Sequence, residues 1–529
     1  MPEWILSAGD PYPWHASGAI AFKGYVWRGR SGPLAGEKAA SLFSGIQKQA
    51  ELQNLLDKLE GVFSVMIRAD DGILAGCDPM GFFPVFYTSS DVAWIVSDDP
   101  YLLSGTTGSR TPNTQARAEF LSGGHVMGDE TLIRGVRRLR PGEALFLKNG
   151  LAREDGRPFA FVPSGSSSSD AEALKDDLFR ILDAQARDMV EYLGGRTAVI
   201  PLSGGYDSRL IACMLKKAGY ERVVCLTYGR HNQETGLSER VARTLGFPWH
   251  FVDYDRLDVG HFSDDPLFRD YCRYAGNLVS MPFLQEYFAV KFLKENDLLP
   301  ADSVFLPGHP GDNLGGSFIS RGAKGEFQDT ARHIVRTFFP FVPHDKDTER
   351  HLELRARHWL PSHLSDSAGK IPGYTPAVET WNFSERLPKF IFNSARVFPF
   401  FGYRVYFPLW SRRMASFFSR IPYSLRDGKK LYDEVLESRY FGPLNVVFGS
   451  GEIPGKRPLK IPRALRRLGW NLLPSALLRK KAAKADWICY GKFTAELGRS
   501  LKAQGKKPLE RYRSLNALIC QWYLENEWK

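Results

Sequence analysis

The sequence predicts an α/β protein in which a β-rich amino-terminal part precedes a parallel sheet with helices on its faces and a mainly helical carboxyl-terminal part. Two observations predict this fold class. Up to about residue 155, short apolar runs are separated by Asp-Gly and Asp-Pro-Met-Gly turns, which is typical of strands. From residue 197, short apolar runs alternate with helical periodicity, and this alternation indicates parallel β-α units.

The length of 529 residues exceeds what one hydrophobic core normally serves, so we expect two or three domains. We predict a first domain at 1–158 and a linker at 159–171, where serine and glycine are concentrated. A second domain is expected at 172–455. A basic helical tail is expected at 456–529.

The second domain is expected to open on a helix. Asp170 is its expected N-cap, and apolar residues then recur on one stripe from Leu174 to Leu193. The strands that follow are expected at residues 197–202, 222–228, 249–252 and 302–306. Helices are expected to follow the first and second of these strands, the second of them at 234–245.

Composition excludes several classes of protein. The first residues show no basic start followed by an apolar run, and we see no apolar stretch that could span a membrane, so a cytoplasmic location is expected. Six cysteines without a CxxC pair argue against a disulfide framework and a structural zinc site.

The formal net charge of +11 is partly concentrated in residues 456–484, where basic side chains have no acidic neighbour. An anionic partner would account for this segment, and so would a solvated tail or a face that receives an anionic substrate. We do not expect nucleic acid to be the substrate.

The most informative motif is Ser-Gly-Gly-Tyr-Asp-Ser at residues 203–208, between an expected strand and an expected helix. The glycines allow close backbone approach to an anion, and a helix start offers free N–H groups. Ser203 and Ser208 add hydroxyl groups, while Asp207 can hold Mg²⁺ against phosphate oxygens. No lysine follows the glycines, so this is not the GxxxxGK[ST] loop.

A second glycine-rich segment, residues 308–317, follows the strand expected at 302–306. Asp312 provides a carboxylate that could share the magnesium ion with Asp207. In open parallel sheets, ligands bind beyond the carboxyl ends of the strands, and both segments are expected there.

The first motif resembles the SGGxDS pyrophosphate loop of the ATP pyrophosphatase superfamily. Together the two segments resemble the synthetase domain of the asparagine synthase (glutamine-hydrolysing) family. The resemblance implies an adenine nucleotide alpha hydrolase-like domain that uses ATP and Mg²⁺, the metal being held by Asp207 and Asp312. The residues it implies for ATP are Leu202, Ser203, Gly204, Gly205, Asp207, Ser208, Tyr228, Pro307 and Gly308. Glu234 matches an acidic position after the second strand.

The same resemblance implies a catalytic lysine in the segment 428–432, Gly-Lys-Lys-Leu-Tyr. We assign Lys430 as the cation that stabilises charge on the phosphates and on the acyl-transfer transition state, with Asp207 and Asp312 as its catalytic partners. The neighbouring Lys429 stays open as an alternative.

The amino-terminal part resembles the Ntn-hydrolase-type glutaminase domain of that family, through residues 61–67, 77–87 and 128–142. The nucleophile of that domain is the cysteine exposed after Met1 is removed, and this chain has Pro2 there. Cys77 stands in a different motif. Without a thiolate, no acyl-enzyme route to ammonia from glutamine is expected.

The resemblance implies an amide-forming ligase that activates a small-molecule carboxylate as its AMP ester and transfers it to ammonia or an amine. Asn313 stands where the family has a glutamate. The pattern Gly-Asp-x-x-Gly-Gly-Ser at residues 311–317, together with Ser-Gly-Gly-Tyr-Asp-Ser-Arg at residues 203–209, is closer to divergent members of the family in polysaccharide and natural-product pathways. The alternatives are an enzyme acting on a sugar uronate or forming a lactam or peptide amide, a tRNA-binding pyrophosphatase, and a catalytically silent scaffold. A homodimer is a further open alternative.

Overall fold

The computed structural model describes residues 3–7, 11–29, 32–106, 110–167, 170–319, 328–360, 376–448 and 486–526. Two features singled out in the sequence, Pro2 and the basic segment at 456–484, lie outside these residues.

The amino-terminal part contains two stacked sheets. The larger has the order β11-β10-β6-β5-β3-β2, with β4 also paired to β3, and the smaller has the order β1-β8-β7-β9. The strands are β1 (Glu3–Ile5), β2 (His15–Ser17), β3 (Ile20–Trp27), β4 (Leu34–Ala35), β5 (Glu60–Ala69), β6 (Gly72–Cys77), β7 (Phe86–Ser89), β8 (Trp94–Ser97), β9 (Arg137–Arg138), β10 (Ala144–Lys148) and β11 (Arg153–Glu154). The helices are α1 (Gly36–Ala40), α2 (Gln49–Leu56), α3 (Pro100–Thr106) and α4 (Thr114–Gly123).

The larger sheet is covered on both faces. Phe63 and Val65 of β5 point toward an apolar cluster that includes Leu52 and Leu56 of α2. The alternate residue Met66 points into the cluster between the two sheets. Because successive strand residues point to opposite faces, both faces of β5 are apolar and its central residues are buried.

The second part is built on a five-stranded, fully parallel sheet in the order β14-β13-β12-β15-β16. Its strands are β12 (Ala198–Pro201), β13 (Val223–Gly229), β14 (Trp249–Asp253), β15 (Val304–Phe305) and β16 (Arg404–Val405). The helices are α5 (Ala171–Leu193), α6 (Tyr206–Lys217), α7 (Gln233–Leu245), α8 (Pro266–Gly276), α9 (Tyr287–Glu295), α10 (Gly311–Gly315), α11 (Gln328–Phe338), α12 (Lys346–His358), α13 (Pro376–Trp381), α14 (Phe392–Ser394), α15 (Val397–Phe400), α16 (Arg412–Arg420), α17 (Tyr423–Arg426) and α18 (Lys430–Leu436). The α/β fold class and the parallel sheet are confirmed.

Local signals set the ends of the helix that opens this part. The Asp170 side chain accepts hydrogen bonds from the backbone N–H groups of Glu172 and Ala173, as an N-cap does. At the other end Gly194 adopts a left-handed conformation with φ of 52°, which glycine tolerates without a steric penalty. The Asp170 N-cap expected from the sequence is therefore present.

The segment expected to be a linker packs against the second part. Phe161 is buried and its ring stacks on Phe383 with the centroids 4.3 Å apart. The N–H groups of Ser164 and Ser167 donate to the carbonyls of Ser419 and Arg420. The described residues of this segment are thus held by tertiary contacts with the second part, although their composition is typical of a flexible linker.

Two helices, α19 (Tyr490–Ala503) and α20 (Asn516–Asn526), end the described chain. Tyr490, Phe493 and Trp522 join the apolar cluster that also contains the residues of the parallel sheet. A helical carboxyl-terminal region is confirmed for residues 486–526. Among the helices of the described ranges, none has the length and apolar character needed to cross a membrane.

Candidate active site

The carboxyl edge of the parallel sheet carries a cavity of about 410 Å³. The loops leaving β12 and β15 and the end of β13 contribute to its wall. In the sheet, β12 lies between β13, the next strand along the chain, and β15, a later strand. This is the position at which open α/β sheets bind ligands. The residues that line the cavity are Pro201, Ser203, Gly205, Tyr206, Asp207, Ser208, Tyr228, Gln285, Glu286, Pro307, Gly308, His309, Asp312, Ser394, Phe398 and Lys429.

The turn between β12 and α6 holds its own shape. Ser208 Oγ accepts the N–H of Ser203 at 3.1 Å, and the two hydroxyl oxygens are 3.2 Å apart. The Ser203 hydroxyl oxygen also accepts the N–H of Gly205 at 3.2 Å. Behind the turn, the buried Arg209 donates to the Gly204 carbonyl at 2.9 Å. The start of α6 therefore faces the cavity with two hydroxyl groups and the first N–H groups of a helix.

The loop after β15 lies directly against this turn. The Asp312 N–H donates to Asp207 Oδ2 at 2.8 Å. A Cβ atom placed on Gly308 would lie 3.0 Å from the Ser208 nitrogen, so a larger residue there would crowd the two loops. The Asn313 amide donates to Asp312 Oδ1 at 2.7 Å. The fold therefore places Asp207 and Asp312, the two carboxylates predicted to share a magnesium ion, next to each other.

Asp207 is in an unusual electrostatic position. Desolvation in the cavity wall raises its pKa to about 7, and the nearby negative charge of Asp312 acts in the same direction. The Tyr432 hydroxyl donates to Asp207 Oδ1 at 3.0 Å and, like the charge of Lys429, opposes that shift. The pair of acids therefore carries negative charge that is not fully compensated.

The donors around Asp207 and Asp312 fit a magnesium ion, because hard divalent cations prefer carboxylate and hydroxyl oxygen atoms. A bound cation would also relieve the repulsion that raises the pKa of Asp207. Within the described ranges, no group of three or more histidine, cysteine or acidic side chains forms a metal cluster. Asp207 and Asp312 are therefore the residues that would hold a metal ion which also binds phosphate oxygens.

The two adjacent lysines are placed differently. Lys429 lines the cavity, its ammonium group lies 2.9 Å from Asp433 and 5.3 Å from the Tyr206 ring centroid, and its charge acts on Asp207. Lys430 is exposed at the first residue of α18 and is not among the residues of the cavity wall. The geometry thus favours the open alternative, Lys429, over the assigned Lys430.

Of the residues predicted for ATP, Ser203, Gly205, Asp207, Ser208, Tyr228, Pro307 and Gly308 line the cavity. Leu202 and Gly204 belong to the same turn without lining the wall, and Leu202 is buried. Glu234 lies behind the turn, with side-chain atoms 3.4 Å from a Cβ placed on Gly204. The sheet edge therefore brings most of the predicted set together.

The wall residues that the sequence analysis did not assign include Gln285, Glu286 and His309. Gln285 and Glu286 precede α9, and His309 lies in the loop after β15. Burial lowers the pKa of His309 to about 4, so its imidazole is neutral at physiological pH. Gln285 and Glu286 carry no motif, and only their place before an amphipathic helix could have indicated them.

Cys77 is buried, and its thiol donates to the Arg140 carbonyl at 3.3 Å. Burial raises the pKa of the Cys77 thiol above its ordinary value. A buried neutral thiol is a poor nucleophile, which agrees with leaving Cys77 out of the candidate chemistry.

Fold and site together define a mixed α/β protein with a cavity at the carboxyl edge of a parallel sheet. No protein-family model matches the chain. Among curated proteins it is similar to tRNA(Ile)-lysidine synthase of Porphyromonas gingivalis (strain ATCC BAA-308 / W83), with 33% identity over 69 residues. The match covers 12% of this chain and 15% of the relative's own length.

Among solved structures, the chain is similar to glutamine phosphoribosylpyrophosphate amidotransferase from B. subtilis complexed with ADP and GMP. The identity is 10%, and the match covers 56% of this chain and 64% of that chain at a TM-score of 0.18. That score does not establish a common fold. The chain thus shares a short stretch of sequence with one synthase, and membership of the asparagine synthase family stays a prediction.

Proposed function

We propose that the chain is an ATP-dependent amide-forming ligase of the asparagine synthase type. It activates a small-molecule carboxylate as an acyl-AMP, releases pyrophosphate and transfers the acyl group to ammonia or an amine. One observation carries the proposal: the serine-rich turn before α6 and two facing carboxylates share a single cavity with Lys429.

In this mechanism the ATP phosphates contact the turn through Ser203, Ser208 and the first N–H groups of α6. The substrate carboxylate attacks the α-phosphorus, and the bond to pyrophosphate breaks. Lys429 offsets the negative charge that develops on the leaving group. Held by Asp207 and Asp312, Mg²⁺ would neutralise charge on phosphate oxygens.

The acyl-AMP then reacts with a nitrogen nucleophile in the same cavity. Binding of both reactants in this cavity of about 410 Å³ keeps the two reacting groups close. Amide, AMP and pyrophosphate are the products. The nitrogen source is free ammonia or an amine, because all six cysteines of the chain are buried and a buried neutral thiol is a poor nucleophile.

The test is a screen of purified full-length protein with ATP, Mg²⁺ and a panel of carboxylic acids, with ammonium or amines as acceptors. The panel includes aspartate, sugar uronates and amino-acid derivatives. Carboxylate-dependent release of pyrophosphate with formation of AMP is expected. Formation of ADP alone, or no nucleotide turnover with any acid, would refute the proposal.

The 33% identity to tRNA(Ile)-lysidine synthase over 69 residues favours a second candidate, in which the adenylated or modified group belongs to a tRNA. The same assay distinguishes the two, because pyrophosphate release would then depend on tRNA rather than on a small carboxylate. Binding of tRNA would also weaken steeply with salt.

A further inference from the structure

Tyr432, on α18, is fully buried, and its hydroxyl group is directed at Asp207. This hydroxyl donates to Asp207 Oδ1 at 3.0 Å, while the Asp312 N–H donates to Asp207 Oδ2 at 2.8 Å. The two donors belong to different elements, α18 and the loop after β15. Each oxygen of the Asp207 carboxylate is thus held by one donor. Lone pairs remain for a metal ion, because an ionised carboxylate offers about four acceptor positions.

Asp207 needs such contacts to keep one orientation. The terminal torsion of an aspartate side chain has a broad energy minimum, so rotamer preference alone does not set the plane of the carboxylate. One hydrogen bond on each oxygen sets it. Metal affinity depends on contacts of this kind, because they orient the group that binds the metal before the metal arrives.

Two glycines of α10 make room for the Tyr432 side chain. A Cβ atom on Gly311 would lie 2.5 Å from the Tyr432 hydroxyl oxygen, and one on Gly315 would lie 3.0 Å from the ring carbon Cγ. Residues four positions apart lie on the same face of a helix, so the two glycines form one groove for the ring. The backbone that carries Asp312 therefore also limits the movement of the tyrosine.

The Tyr432 ring also borders Lys429. The Lys429 ammonium nitrogen lies 5.9 Å from the centroid of the Tyr432 ring and 5.3 Å from that of Tyr206. Both distances are within the range of cation–π attraction. A single buried side chain thus contacts the carboxylate of the β12–α6 turn, the glycines of the second loop and the lysine of the cavity wall.

We propose that Tyr432 is a positioning residue, whose hydroxyl holds the Asp207 carboxylate in the orientation in which it binds Mg²⁺. This proposal rests on the proposed function and adds to it a residue that does not line the cavity and acts through Asp207. Without the hydroxyl, the carboxylate keeps only the Asp312 N–H and can rotate about that contact. The metal then binds more weakly, because part of its binding free energy is used to fix the ligand.

The experiment measures metal binding separately from turnover in the full-length protein. Electron paramagnetic resonance of Mn²⁺ in the presence of α,β-methylene ATP reports the metal site without any reaction. A Mg²⁺ titration of carboxylate-dependent pyrophosphate release reports turnover. Tyr432→Phe removes the hydroxyl and keeps the ring. The matched control is Tyr440→Phe, which removes the hydroxyl of another buried tyrosine, one without a hydrogen-bond partner in the described part of the chain.

For Tyr432→Phe we expect Mn²⁺ affinity to fall by about 10-fold or more, since removing a group that orients a metal-binding side chain usually lowers affinity by about 10–100-fold. At saturating Mg²⁺, pyrophosphate release should return to within about threefold of wild type, because the hydroxyl does not touch the reacting atoms. A merely structural role would not give this rescue by the metal. Tyr440→Phe should match wild type in both measurements.

Unchanged Mn²⁺ affinity in Tyr432→Phe would overturn the assignment, and so would a loss of turnover that saturating Mg²⁺ does not restore. Should urea unfolding show that Tyr432→Phe folds poorly, Gly315→Ala decides by the same split, because its Cβ displaces the ring and leaves the hydroxyl in place. If wild type binds Mn²⁺ with the nucleotide analogue but releases no pyrophosphate with any acid, the proposed function fails alone. The Mn²⁺ measurement then still decides the role of Tyr432, so the two failures are distinguishable.

Discussion

Replacing Lys429 by alanine should abolish most of the activity while leaving the fold nearly unchanged. Its ammonium group lies in the cavity wall near Asp207 and forms an ion pair with Asp433 at 2.9 Å. A preorganised charge directed at developing negative charge is worth about 10²–10³ in rate, or about 3–4 kcal/mol. The lost pair with Asp433 is an i,i+4 contact of two partly exposed side chains, worth only about 0.3–0.5 kcal/mol.

The matched control is Lys430→Ala, which removes an equal charge one residue away from an exposed position. The assay is carboxylate-dependent pyrophosphate release, with urea unfolding of both variants in parallel. Lys429→Ala should lose about 10²-fold or more in rate, and Lys430→Ala should lose less than threefold. Near-normal turnover in Lys429→Ala, or a severe loss in Lys430→Ala instead, would refute the role that the geometry gives to Lys429.

Three further substitutions test the site and the buried ion pair between Glu379 and Arg426. Glu379→Gln leaves the buried Arg426 without its carboxylate at 2.6 Å and should destabilise the protein by about 3–5 kcal/mol, measured by urea unfolding; a loss below 1 kcal/mol would contradict this. Gly311→Ala places a Cβ only 2.5 Å from a buried tyrosine hydroxyl and should lower pyrophosphate release at least tenfold, whereas Gly236→Ala has open space and should not. Asp312→Asn should raise the Mg²⁺ concentration for half-maximal pyrophosphate release by about tenfold or more, and an unchanged Mg²⁺ titration would remove that residue from the metal site.

Much of the fold was predictable because its signals are local. The β12 and β13 strands are short apolar runs buried on both faces, and α5 has a capping aspartate followed by an apolar stripe. The turn between β12 and α6 was predictable for the same reason, since its serines, glycines and aspartate lie within the six consecutive residues 203–208. A pattern confined to neighbouring residues can be recognised in the sequence without knowing which distant residues it contacts.

Other features depend on distant contacts and left no local pattern. Lys429 faces the cavity and Lys430 does not. This difference follows from the backbone of Lys429, whose φ of 64° turns the chain just before α18. Glu286 reaches Tyr228 across 58 positions of sequence. The serine-rich segment reads as a linker, but its hydrogen bonds are to carbonyls about 250 residues away. Propensity and periodicity carry no information about such pairings.

The tyrosine contacts between the two parts of the chain affect whether the second part could be kept during evolution without the first. Tyr12 donates to the Val405 carbonyl of the sheet's edge strand, and Tyr25 packs 4.5 Å from Tyr192. One continuous apolar interior runs through both parts. A shortened gene beginning near residue 159 would therefore expose aromatic rings to water and encode an aggregation-prone product. Selection for solubility alone would then retain the amino-terminal portion, whatever reaction it performs.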